Sequence, residues 1–211
     1  MFKNLFNPDN ALMITMSQVT DAIFLSLFWI VGCFPILTVG ASSAALYDAA
    51  FRAYRKGDKH SWQRFAQVFC RNWKEGILPS LFYLGVFVGM VWLLIQVWNA
   101  AVAGTLSWMV FSAAAFVGVL MLGVLSVLFP VLSRFENRFV DLLKNTVFLS
   151  LANLPRTLAV GFLHAVSMFL CVRYIFPLFF LPALTALLSS LLTEPMFKPY
   201  MPEDAPEDAA D

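Results

Sequence analysis

Residues 76–133 contain no Asp, Glu, Lys or Arg. A helix rises about 1.5 Å per residue and a bilayer core is about 30 Å thick, so about 20 apolar residues cross it. This run is long enough for two crossings and a connection between them. Residues 22–47 form a second charge-free run. A soluble domain needs about 25% charged residues to cover its core, yet only 13% of this chain is charged and 60% is hydrophobic. The pattern specifies an all-α integral membrane protein with about five transmembrane helices.

The spans follow from the boundaries of the apolar runs. The first lies within residues 13–39, and Pro35 and Gly40 bracket a segment, PILTVG, that should kink or end it. The second covers residues 77–98 and the third 108–132. Trp98 and Trp108 flank the connection between them, at the headgroup level that indole rings prefer. From 157 to 193 only Arg173 interrupts the apolar sequence. One helix over that length would reach about 55 Å, so two spans are expected, turning near 173–177, with Pro182 kinking the fifth. Residues 1–193 therefore read as one membrane domain. Residues 194–211, rich in Pro, Glu, Asp and Ala, read as a disordered acidic tail. The opening MFKNLFNPDN lacks the pattern of a secretory signal.

Lys and Arg are segregated. Arg52, Arg55, Lys56, Lys59, Arg64, Arg71 and Lys74 lie between the first two spans. Arg134, Arg138, Lys144 and Arg156 lie between the third and fourth, leaving Lys3 and Arg173 opposite. The positive-inside rule puts the basic segments and the C-terminus in the cytoplasm of a bacterial cell and the N-terminus outside. Tyr47, Phe51 and Tyr54 share one helical stripe. Trp62, Phe65, Phe69 and Trp73 form another, and Phe135, Phe139, Leu142, Thr146 and Leu149 a third. These read as basic amphipathic helices at the cytoplasmic interface, anchored to anionic lipid or docking a partner.

Intramembrane polar residues are functional candidates, because hydrocarbon solvates them poorly. They are Asp21, Gln96, His164 and Arg173. Asp21 and Arg173 are both expected near the outer side and are a candidate ion pair. His164 is either a neutral histidine bonded to a neighbouring helix or a ligand site. Gly85 and Gly89 allow close helix packing, within the protomer or between copies. Ala114 and Gly118 repeat that spacing in the third span. No hydrolase, metalloprotease or phosphate-loop motif is present, and the three cysteines lack metal-ligand spacing. Neither catalysis, a cofactor nor a metal is expected. A net charge of +1 supplies no attraction to nucleic acid.

Two blocks resemble the YesL-like family of bacterial membrane proteins. Pro35, Thr38, Gly40, Ala41, Ala45, Leu46 and Tyr47 carry the first. Pro130, Arg134, Phe135, Glu136, Asn137, Lys144, Asn145, Leu154, Pro155, Arg156 and Thr157 carry the second. Asp48 departs from the family pattern, where an aromatic or apolar residue is usual. The resemblance extends to about residue 195 and implies a small multi-pass protein without an assigned molecular activity. Such proteins are often encoded beside sugar ABC transporters, glycoside hydrolases and sugar-sensing regulators, which implies a role in carbohydrate uptake. Two expectations follow. The first is an accessory or regulatory component that docks a sugar ABC transporter or another membrane protein, with Pro35, Thr38, Gly40, Arg134, Glu136, Asn137, Pro155 and Arg156 as docking or structural positions. The second is a small solute transporter or channel, acting as a homo-oligomer through Gly85 and Gly89 and using the broken segment 35–40.

Overall fold

The computed structural model describes residues 11–56, 60–134 and 139–200. Among them every regular element is helical. The long helices are α1 (Ala11–Cys33), α2 (Val39–Phe51), α3 (Ser61–Asn72), α4 (Ile77–Val102), α5 (Trp108–Arg134), α6 (Phe139–Ala152), α7 (Leu154–Arg173) and α8 (Leu181–Phe197). Three of them, α4, α5 and α7, are long and apolar enough to cross a bilayer. Residues 18–33 of α1 form a shorter apolar helix.

The segment PILTVG ends α1. Pro35 disfavours helical geometry at the residue before it, and a 3-10 turn, Ile36–Thr38, follows. The Thr38 hydroxyl lies 2.6 Å from the Gly32 carbonyl oxygen and 2.7 Å from that of Pro35. It thereby satisfies acceptors that the helix end would leave bare. Trp29 Nε1 donates to Ser43 Oγ at 3.2 Å, fastening the end of α1 to the start of α2.

Helix α2 is the hub. Ala41, Ala44, Ala45, Ala49 and Ala50 are fully buried, and helices α1, α3, α5 and α8 pack round it. This corrects the expectation that the Tyr47 stripe lies on lipid: Tyr47 is only 2% exposed. Alanine on several faces lets backbones approach from several sides, so no face remains for an interface. The inner face of α3 buries Phe65 and Val68, while Trp62 and Trp73 stay exposed. Leu142, Thr146 and Leu149 of α6 likewise turn inward.

Helices α4 and α5 form an antiparallel pair. Tyr83 meets Phe129 near one end, and Trp98 stands edge-on to Trp108 at the other. Gly104, at φ 74°, supplies the left-handed step in the tight turn between them. Helix α7 ends at Arg173, and a 3-10 turn, Phe176–Phe179, leads into α8, as expected for that region. Pro182 does not kink α8. It occupies the first turn, where a missing N–H costs no hydrogen bond. Helix α8 runs to Phe197 and continues as the turn Lys198–Tyr200, so the start of the expected tail is ordered helix. Residues 201–211 lie outside the described residues.

The close helix crossing is at Gly123 and Gly161, where α5 meets α7. A methyl group on Gly123 would overlap the Thr157 carbonyl, and one on Gly161 the Val119 carbonyl. By contrast, among the described residues nothing lies within 4 Å of where a Cβ would sit on Gly85 or Gly89, so a side chain there would meet open space. Gly161→Leu is therefore expected to cost at least about 1–3 kcal/mol through overpacking. Gly85→Leu should leave the monomer's stability unchanged. Thermal unfolding of the two variants in one detergent checks the contrast.

Candidate functional site

Asp48 sits on α2 in a run of alanines and is 2% exposed. An unpaired carboxylate there would be prohibitively costly. Three guanidinium groups meet it. Arg64 Nε of α3 donates to Asp48 Oδ2 at 2.8 Å. Arg52 Nε, one turn beyond Asp48, lies 3.4 Å from the same oxygen, and Arg134 Nη1 lies 3.5 Å from Oδ1. Arg134, the last residue of α5, also donates through Nη2 to Glu194 Oε1 of α8 at 2.7 Å. Its guanidinium stacks 4.5 Å from the centre of the Phe51 ring. Four helix segments are thus joined through two carboxylates and three guanidiniums, all largely buried.

Tyr47 completes this cluster. Its hydroxyl donates to Glu194 Oε1 at 3.1 Å and lies 2.6 Å from Thr193 Oγ1, a contact in which either hydroxyl can be the donor. Burial, and then the nearby Glu194 carboxylate, push the phenol far above its ordinary pKa and keep it a neutral donor. The ring of the same tyrosine lines a cavity of about 290 Å³.

That cavity lies between α1, α2, α4, α5, α7 and α8. Trp29, Tyr83 and Phe129 give it aromatic walls. Ser126 and His164 are among its lining residues. Ser126 Oγ is buried without a hydrogen-bond partner. His164 Nδ1 lies 2.9 Å from the Val160 carbonyl oxygen, which can only accept, so Nδ1 carries the proton. In the neutral ring Nε2 is then a free-electron-pair acceptor. His164 bonds its own helix rather than a neighbouring one, and its ligand-site reading gains a cavity.

The other sequence candidates separate. Asp21 does not pair with Arg173. Its Oδ1 accepts from Ser61 Oγ at 3.1 Å, while the exposed Arg173 lies 5.4 Å from the Tyr174 ring centre. Tyr54 likewise donates to the Gln18 carbonyl at 2.5 Å, so the early part of α1 lies beside the basic α2–α3 connection. In the broken segment 35–40 some backbone groups have partners within the protein. Thr38 serves its carbonyls, and the Gly40 N–H donates to Ser80 Oγ at 2.7 Å. Pro35 is exposed, and Pro155 and Arg156 are exposed in the first turn of α7, with Arg156 Nη1 3.4 Å from Asn153 Oδ1. Gln96 faces outward on α4. Glu136 and Asn137 lie outside the described residues.

Arg134 is the one docking candidate that the fold turns into a structural centre. Its partners Asp48 and Glu194 were not singled out as site residues. A lone acid within an apolar helix was the available signal for Asp48. Glu194 offered none, since it reads locally as the first residue of an acidic tail. Ser126 is one serine among many in apolar helices.

Arg134→Gln should destabilise the protein by about 3–5 kcal/mol, because it strands Glu194 in a buried site. Combining it with Glu194→Gln should cost clearly less than the sum of the two single changes. A double-mutant cycle on chemical unfolding in mixed micelles measures this coupling.

Residues 22–97 match the family model described as "Protein of unknown function, DUF624". The match takes in the Pro35–Tyr47 block and Asp48, Arg52 and Arg64 of the ion cluster, and stops within α4. No curated protein and no solved structure matches the chain. What part of the chain is similar to is thus a family without an assigned function, over residues 22–97, which carry the buried aspartate.

Proposed function

We propose that this chain is a bacterial cell-membrane protein that holds a small solute in the cavity between its helices, as a non-catalytic component of solute uptake. The observation that carries this reading is an aromatic-lined cavity one of whose lining residues, Ser126, has a buried hydroxyl without a hydrogen-bond partner. A buried polar group without a partner is costly in a folded protein and is explained by a ligand or water that completes it. Cavities of a few hundred Å³ with few polar groups are the usual form of small-molecule sites. Carbohydrate is the substrate class that the YesL-like resemblance suggests.

Membrane placement follows from the exposed apolar surface of α4 and α5, including Val88, Trp92, Leu93 and Phe116, which suits lipid and not water. We read α4, α5, α7 and α8 as the crossings, with α8 extended by the turn before it. Arg52 and Arg55 belong at headgroup level. Gln18 and Asp21, bonded to Tyr54 and Ser61, share that level. Helices α1 and α2 then form a hairpin on the basic, cytoplasmic side, in place of a fifth crossing with its N-terminus outside.

A second reading is supported by the outer face of α3. Trp62 is 52% exposed and Trp73 48%, beside the exposed Arg71 and Lys74. This basic aromatic surface suits anionic lipid or an accessory role docked on a sugar ABC transporter or another membrane protein. The two readings predict different results. Vesicles reconstituted with this protein alone should take up or retain labelled sugar under the first. Crosslinking in native membranes should recover a transporter permease under the second, and Trp62→Ala with Trp73→Ala should abolish that link.

Topology has its own test. An impermeant maleimide added outside intact cells should label Gly104→Cys and spare Ser61→Cys. Labelling of both from outside would refute the four-crossing arrangement.

A further inference from the structure

The hydrogen-bonding capacity of the cavity wall is largely spent within the protein. Thr185 donates to carbonyls of its own helix, Leu181 and Pro182, and Ser189 to that of Ala186. Ser43 Oγ accepts the Trp29 indole proton, and the Tyr47 hydroxyl is turned to Thr193 and Glu194. Among the lining residues, the Ser126 hydroxyl, on a residue 5% exposed, has no hydrogen-bond partner, and His164 Nε2 is left as an acceptor. Ser126 can donate or accept, and Nε2 of the neutral ring accepts.

Equally informative is what the wall lacks. Among the described residues, no Asp, Glu, Lys or Arg lines the cavity. Asp48 and Glu194 with Arg52, Arg64 and Arg134 bond one another, and the exposed Arg173, although next to the lining residue Val172, is not itself part of the lining. Tyr47 stands between the two regions, ring to the cavity and hydroxyl to the charges. An ion entering the cavity would lose its hydration and meet no counter-charge, a penalty far larger than that of burying a hydroxyl that finds a partner.

We propose that the cavity selects uncharged solutes: it takes a neutral molecule bearing a hydroxyl or comparable donor, held by Ser126 and His164 against the aromatic walls, and rejects anions and cations alike. This rests on the solute-cavity reading above and narrows it, since it removes ions from the substrates a small transporter or channel could carry.

The test uses thiol-reactive methanethiosulfonates of matched chemistry: neutral methyl, anionic sulfonatoethyl and cationic trimethylammonioethyl. Each reacts with Ser126→Cys in the full chain, reconstituted in nanodiscs, with Cys33, Cys70 and Cys171 replaced by serine. The native Cys171, which also lines the cavity, is the second reporter in a Cys33→Ser, Cys70→Ser chain, should Ser126→Cys fail to fold. Rates are divided by those for a free thiol in solution. The expected result is a normalised rate at least ten-fold higher for the neutral reagent than for either ion. Comparable rates for all three would overturn the charge selectivity while leaving an open solute cavity. If no reagent reacts with either reporter, the cavity is closed to solutes and the underlying reading falls with it.

Discussion

A carboxylate placed among alanines makes its surroundings obligatory. Asp48 lies in the last turn of the packed helix α2 and is almost completely removed from solvent. It is tolerable there only because α3 and α5 each deliver a guanidinium and α2 adds its own from the next turn. Buried ion pairs often add little net stability compared with apolar packing, but breaking one is expensive. Their contribution here is registry. With Arg134 divided between Asp48 and Glu194, the ends of α5, α2 and α8 have one mutual position in which all charges are met.

That registry bears on the cavity. Gly123 and Gly161 draw α5 and α7 into contact, whereas α8 is held at its far end by Glu194 and Thr193. The space that remains between these helices is bounded by rings and small hydroxyls, and Tyr47 is both its wall and a member of the ion cluster. A guest that moved the Tyr47 ring would therefore disturb the contact with Glu194, and through it the position of α8. The chemistry of the cavity and the mechanics of the helix ends meet in one side chain.

Much of the architecture is legible residue by residue. The charge-free run 76–133 becomes two long helices, with Trp98 and Trp108 facing each other across their turn. Pro35 ends α1, and the turn after Arg173 falls where the length of a single helix would exceed a bilayer. The same local logic failed for α2. Tyr47, Phe51 and Tyr54 have the spacing of an interfacial helix, but spacing does not reveal that the alanines on the other faces are also covered. It failed again at Glu194, which belongs to a helix because Arg134 and Tyr47, far away in the chain, bind it. Gly85 and Gly89 show the converse: a packing pattern in the sequence that meets open space among the described residues.

The sequence alone determined the apolar character of the long helices, the helical class and most helix limits, because these depend on composition and on neighbours within one or two turns. Tertiary structure decided which charges face each other, which stripe is core and where an unfilled space is left. Those outcomes depend on groups distant in sequence meeting within about 3–4 Å, a range at which electrostatics and packing act and about which local pattern carries no information.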